Sequence, residues 1–201
     1  MSRLKIGIIG TGGISHSHVR GYKGNDDLAE IVAVAHINED RAREAAEEWG
    51  VPKHCTDYRQ ILDMPDVDAV SVCTYNMAHR DPTVDALNAG KHVLCEKPMA
   101  ATLDDAIAMT KAARQTDKNL MIAFHSRYGT SQIAAKRIMQ SGDLGKIYYG
   151  ETTTCRRRGA GGGTFERQET AGVGVIADIG CYSLDTALDL LGHPKPVRVS
   201  G

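Results

Sequence analysis

The sequence predicts an α/β protein: a doubly wound parallel sheet, followed by the beginning of a second α/β domain. Three observations carry this. Short apolar runs alternate with helix-like stretches between Leu4 and Phe124. The runs are rich in Val, Ile and Leu with little polar alternation, which suits strands buried on both faces. A glycine-rich turn, Gly10-Thr11-Gly12-Gly13, joins the first run to the first helix-like stretch. Strand–helix–strand alternation of this kind implies parallel strands with helices on both faces.

The elements follow in order. Leu4–Ile9 is the first strand and Ser15–Gly24 the first helix. Ile31–Ala35 leads to a helix over Asp40–Trp49, and Ala69–Cys73 to one over Pro82–Ala89. His92–Cys95 leads to Leu103–Gln115, where Thr102 and Asp105 have capping-box spacing. Leu120–Phe124 completes the series. The rhythm then changes to a helix over Ser131–Ser141 stopped by Gly142, a strand-like run over Lys146–Cys155, and a basic, glycine-rich loop over Arg156–Gly163. A last helix covers Tyr182–Leu191 before Gly192 and Pro194. The expected boundary lies near Ala123, giving a first domain over 1–123 and the start of a second over 124–201. One helix pair and a strand bury little core, so the second domain is expected to be truncated.

Composition narrows the function classes. The chain has 201 residues, 42% hydrophobic and 24% charged, with formal net charge −1. This is ordinary globular composition. It gives no electrostatic reason to expect nucleic acid or an anionic membrane as partner. Apolar runs such as Ile31–Ala35 are far too short to span a bilayer, and no secretory pattern precedes Leu4. Five cysteines, Cys55, Cys73, Cys95, Cys155 and Cys181, form no CxxC pair. Neither a disulfide framework nor a zinc site is expected from them. They read as thiols in a reducing compartment, the cytoplasm. His16 and His18 are expected at a partly exposed helix start, and no third ligand completes a metal site.

The glycine turn carries specific chemistry. Gly10 permits a tight turn, and Gly12 lets main chain approach a pyrophosphate. Gly13 and Ile14 open the helix, whose first N–H groups and partial positive charge suit an anion. This is the Rossmann dinucleotide fingerprint, with Ser15 where a third small residue is preferred. The fingerprint also expects an acidic residue at the end of the second strand, to hold the adenosine ribose. His36 stands there, with Asn38 and Arg41 close by. Neither NAD nor NADP is selected by that pattern.

A second region is more distinctive. Asp68-Ala69-Val70 is followed by Thr74-Tyr75-Asn76-Met77-Ala78-His79, and then by Gly90-Lys91-His92-Val93-Leu94-Cys95-Glu96-Lys97-Pro98-Met99-Ala100. Near the end stands Gly172-Val173-Gly174-Val175-Ile176-Ala177-Asp178-Ile179-Gly180-Cys181-Tyr182-Ser183-Leu184-Asp185. In this order the motifs closely resemble those of the glucose–fructose oxidoreductase, inositol dehydrogenase and rhizopine-catabolism (Gfo/Idh/MocA) family. The resemblance runs the length of the chain. It departs at Tyr75, where the family usually has proline, and at Tyr182, where it usually has histidine.

The resemblance implies roles. Thr74, Asn76 and His79 would line the cofactor site. Glu96 and Lys97 would sit beside the nicotinamide ribose and the substrate, with a cis bond before Pro98. Asp178 would orient the substrate and Tyr182 would relay a proton. Arg127 matches a basic position at the start of the second domain and would touch substrate or the other domain. The chemistry is coherent: oxidising an alcohol removes a hydride, taken by the cofactor, and a proton, taken by a side chain. A phenol titrates near about 10, and an ammonium such as Lys97 would favour its phenolate. Asp178 and Tyr182, four apart, would share a face of one helix. Arg156-Arg157-Arg158 reads as a solvated loop or a grip on an anionic substrate.

The expected function is hydride transfer between NAD or NADP and a sugar or polyol, in a protein that forms a homo-oligomer when full length. The alternatives are a glycosidase that oxidises its substrate transiently and a dinucleotide-sensing regulator without catalysis. Lys97 and Asp178 favour an enzyme.

Overall fold

The computed structural model describes residues 2–155, 157 and 162–200. The chain divides into two compact units. The first comprises Met1–Ala123 with Gly161–Gly172, and the second Phe124–Ala160 with Val173–Gly201.

The first unit is built on six parallel strands: β1 (Leu4–Ile9), β2 (Ala29–Ala35), β3 (His54–Cys55), β4 (Ala69–Val72), β5 (His92–Cys95) and β6 (Leu120–Ile122). Their order is β3-β2-β1-β4-β5-β6. The order reverses between β1 and β4, where ligands of open parallel sheets bind at the carboxyl edge. Helices α1 (Ser15–Lys23), α2 (Glu39–Trp49), α3 (Arg59–Leu62), α4 (Arg80–Asn88) and α5 (Leu103–Gln115) connect the strands. The predicted N-cap is present: Thr102 Oγ1 accepts the N–H of Asp105 at 3.2 Å, while the Asp105 carboxylate accepts from the Thr102 hydroxyl rather than from its main chain. Asn38 caps α2 in the same way, accepting the N–H of Arg41 at 3.0 Å.

Strand alternation sends successive side chains to opposite faces. Ile6, Ile8 and Val34 join Val19 and Trp49 in one buried cluster. Ile9, Ala33, Val70, Val72, Val93 and Cys95 join Ile61, Leu87 and Met109 in the other. Every strand predicted in this unit is present, within two residues at either end. The sequence reading missed β3 and α3. β3 has two residues, too few to show a period, and exists because it pairs with Val34 and Ala35.

Segment Gly161–Gly172 belongs to the first unit by packing. It holds α7 (Gln168–Ala171), and Asn76 donates to the Ala171 carbonyl at 3.1 Å.

The second unit contains α6 (Thr130–Ser141), α8 (Val175–Asp178) and α9 (Gly180–Leu190). Arg127 forms a two-pronged bond to Asp185 on α9. Lys136 on α6 reaches Asp189 at 2.7 Å, which holds that carboxyl below the usual carboxylate range. The run over 146–155 is not a strand here. A strand needs a hydrogen-bonded neighbour, and none pairs with it among the described residues; Tyr148 is 94% exposed. Asp178 and Tyr182 do not share one helix either, because the chain turns at Ile179 between α8 and α9. Among the described residues no single helix is long and apolar enough to cross a membrane.

Gly7 on β1 shows how closely α3 packs. A Cβ there would lie 2.4 Å from Ile61 Cγ2, and Ile61 is fully buried with nowhere to retreat. Gly7→Ala is therefore expected to cost about 1–3 kcal/mol by overpacking. Urea unfolding of both proteins checks this through the midpoint.

Candidate active site

The carboxyl edge of the sheet opens into a cavity of about 640 Å³. Its floor begins at the glycine turn. Gly10 has φ +96°, and a Cβ on it would lie 2.7 Å from the Cys73 carbonyl oxygen. Only glycine fits, because both the backbone conformation and the close approach exclude a side chain. Gly12 differs: a Cβ there would lie 4.0 Å from its nearest neighbour, and Gly13 has open space. The protein itself does not require Gly12 to be bare.

Ser15 explains the departure from a third glycine. It is fully buried, and its hydroxyl donates to the Gly12 carbonyl at 2.5 Å, pinning the turn. α1 starts at Ile14 with no side-chain cap and no acidic residue in its first turn. Ser15 and Ser17 already donate to the Gly12 and Ile14 carbonyls, so it is the turn's remaining main chain, at Gly12, Gly13 and Ile14, that lines the cavity at the helix's positive end. The Thr11 hydroxyl oxygen is buried without a hydrogen-bond partner among the described residues. Bare glycine main chain, an uncapped helix start and an orphaned hydroxyl together fit a dinucleotide pyrophosphate.

Of the residues expected at the cofactor, Gly10, Gly12, Gly13, Ile14, His36, Thr74, Asn76, Glu96 and Lys97 line the cavity. His79 does not. It is almost fully buried, and burial lowers its pKa against the pull of the Pro98 and Thr74 carbonyls. A neutral imidazole has one N–H. Nδ1 lies 2.9 Å from the Pro98 carbonyl oxygen and Nε2 3.2 Å from that of Thr74, so the one N–H is shared between two acceptors. His79 thus braces the Lys97-Pro98 turn, whose peptide bond is cis.

His36 lies at the end of β2 as expected. Its Nδ1 accepts the Asn38 N–H at 2.9 Å, so Nε2 carries the hydrogen in the neutral ring. Burial, with Arg41 nearby, lowers its pKa. Asn38 is occupied as a helix cap, while Arg41 lines the cavity.

Two features were not legible. Thr164, Phe165 and Thr170, from the segment that returns to the first unit, form part of the cavity wall. The Phe165 ring lies 5.9 Å from Lys97 Nζ. His18, expected at a partly exposed helix start, is instead buried against Glu96 at 2.8 Å.

The second unit places the remaining residues. Asp178 ends α8 and Tyr182 lies in the first turn of α9. The Tyr182 ring packs edge-on against Phe124 at 6.1 Å and against His125 at 5.1 Å. The Arg127 guanidinium is committed to Asp185. An open hollow of about 790 Å³ is lined by Lys136, Tyr148 and Asp189. It lacks a glycine turn or helix start, and the first unit's cavity is the better candidate. Arg156 and Arg158 lie outside the described residues. Among the described residues no group of three or more His, Cys, Asp or Glu could hold a metal ion.

Comparison with known proteins decides the family. The oxidoreductase family with an NAD-binding Rossmann fold, Gfo/Idh/MocA, matches residues 4–124, and the family's C-terminal domain matches residues 133–201. The chain belongs to the Gfo/Idh/MocA family. D-glucoside 3-dehydrogenase of Escherichia coli is 37% identical over 99% of this chain and 57% of its own length. Levoglucosan dehydrogenase of Pseudarthrobacter phenanthrenivorans is 31% identical over 98% of this chain and 54% of its own. A solved levoglucosan dehydrogenase, in complex with NADH and levoglucosan, superposes with TM-score 0.82 at 30% identity, covering 95% of this chain and 55% of the other. The chain thus spans about half the length of these Gfo/Idh/MocA relatives.

The two glycines should separate by experiment. Gly10→Ala is expected to cost stability, about 1 kcal/mol or more, from its positive φ and the Cys73 contact. Gly12→Val should leave the urea midpoint nearly unchanged and abolish measurable NADH binding. Fluorescence titration and urea unfolding of both variants check the split.

Proposed function

We propose that the full-length protein is a NAD(P)-dependent dehydrogenase or reductase acting on a hydroxyl or carbonyl carbon of a sugar or polyol. The observation that carries this is one cavity containing both the glycine turn and the Glu96–Lys97 turn. The relatives' names support the substrate class: a glucoside, inositol and levoglucosan dehydrogenase. In this reading residues 1–123 are the dinucleotide-binding domain, and 124–201 begin the substrate and oligomerisation domain.

A bound nicotinamide supplies the hydride acceptor. Glycine-turn N–H groups and the Thr11 hydroxyl hold the phosphates. Lys97 polarises the substrate oxygen and favours its alkoxide as the hydride leaves carbon. Tyr182 takes the hydroxyl proton and passes it to water, and Asp178 orients the substrate by accepting from a neighbouring hydroxyl. Glu96 contacts the nicotinamide end of the cavity, while Arg127 acts by holding Asp185 and, through it, α9. His36 offers a donor where NAD-selective sites hold a carboxylate, so discrimination between NAD and NADP is modest, within about tenfold. Cys55, Cys73 and Cys95 are buried thiols, in keeping with a cytoplasmic protein, and the full-length chain is read as a homo-oligomer.

The test is a panel of sugars and polyols with full-length protein and each cofactor, followed by absorbance of the reduced nicotinamide. Turnover of at least one substrate is expected. Lys97→Met should lower it by about 10²–10⁴-fold with cofactor affinity largely kept. Near-normal turnover by Lys97→Met would overturn the assignment. NADH binding with no turnover on any substrate would favour a dinucleotide-sensing regulator.

A further inference from the structure

A chain of buried polar groups lies under the Glu96–Lys97 turn, and, Glu96 apart, the chemistry above does not use it. It begins at Tyr22, whose hydroxyl is 2.8 Å from Ser71 Oγ. Ser71 is fully buried and lies 3.2 Å from His18 Nδ1. His18 Nε2 meets Glu96 Oε1 at 2.8 Å, with side chains only 7% and 8% exposed. The other Glu96 oxygen, Oε2, accepts the main-chain N–H of Lys97 at 3.2 Å.

Strand parity brings these groups together. On β4 and β5, Val70, Val72, Val93 and Cys95 point into one core. Ser71 and Glu96 alternate with them and so face the other side, where α1 packs. His18 and Tyr22 are four apart on α1 and share one helix face. A buried carboxylate is tolerated only when hydrogen-bonded and paired. Here one of its oxygens is held by α1, and the other holds the residue that carries the ammonium.

We propose that His18 is a positioning residue: its Nε2–H fixes the Glu96 carboxylate, and Glu96 in turn fixes the main chain of Lys97. The inference rests on the proposed role of Lys97. The direction of donation is set by the partners. Carboxylate Oε1 can only accept, so Nε2 must carry a hydrogen. In the neutral ring Nδ1 then accepts from Ser71, and Ser71 accepts from Tyr22, leaving every member of the chain satisfied. The Glu96 carboxylate is thereby tied to α1, the same helix whose N-terminus faces the expected pyrophosphate. One element registers both ends of the cavity.

Two amide substitutions in the full-length protein test this. A glutamine amide nitrogen reaches the place of Nε2, whereas an asparagine amide reaches only that of Nδ1. His18→Gln should keep the Glu96 bond; His18→Asn should lose it while keeping the Ser71 contact. The direct readout is hydrogen exchange at the Lys97 amide. It should quicken at least about tenfold in His18→Asn and stay near wild type in His18→Gln. Turnover should follow, with kcat down about 10–10²-fold in His18→Asn, since misplacing a catalytic group by about 1 Å costs up to about 10²-fold. KM for the dinucleotide should change less than about threefold. Equal Lys97 exchange, or equal kcat, in the two variants would overturn the proposal. The exchange readout needs no turnover, so it stands or falls apart from the dehydrogenase reading. If His18→Asn does not fold, the imidazole ¹⁵N shifts of the wild-type protein decide: a protonated Nε2 supports the proposal, and an unprotonated Nε2 overturns it.

Discussion

The site depends on one close approach. Where the strand order reverses between β1 and β4, the chain leaves β1 at Gly10 and passes so near the Cys73 carbonyl that a Cβ would lie 2.7 Å from it. This contact sets how tightly the glycine turn folds over the end of β4. The direction in which α1 departs follows from it. α1 begins at the cavity, which Gly12, Gly13 and Ile14 line, and its body then lies along the sheet face that Ser71 and Glu96 share. The glycine turn and the Glu96–Lys97 turn, which line the same cavity, are thus placed by the same crossing.

The neighbourhood of Lys97 is held by polar contacts as well as by the packing of Cys95, Met99 and Ala100. His79, whose pKa burial lowers, sits between the Pro98 and Thr74 carbonyls on one side. Glu96 accepts the Lys97 N–H from the other. A turn held by directional bonds keeps its geometry at the edge of a cavity, where few side chains can pack against it. Asn76 extends the same principle by donating to Ala171, which ties the returning segment and its Phe165 to the loop after β4. The cavity therefore has a wall drawn from sequence more than 40 residues beyond the sheet's last strand, by residue number.

Much of this was legible in the sequence and some was not, for definable reasons. β1 and β5 announce themselves as Leu4–Ile9 and His92–Cys95 because strands buried on both faces read as near-continuous apolar runs with little polar alternation. The helix start at Thr102 is a local signal, and its N-cap bond forms as read. β3 was invisible because its two residues are a strand only by pairing with β2. The run over 146–155 has strand composition, yet composition cannot supply a partner strand. Among site residues, the glycine turn was readable because its chemistry is local. His18 was not: its meaning lies in Ser71 and Glu96, 53 and 78 residues away, and a histidine early in a helix looks solvent-facing until strand parity is known. His79 was assigned to the right turn, but the structure places it behind the cavity wall rather than on it.

The most direct test of the central claim is a crystal structure of the full-length protein with NADH. The account predicts the pyrophosphate within hydrogen-bond distance of the main chain at Gly12–Ile14 and the nicotinamide beside Glu96 and Lys97. A dinucleotide seated away from the Gly10–Ile14 turn, or one whose nicotinamide end points away from Lys97, would contradict it.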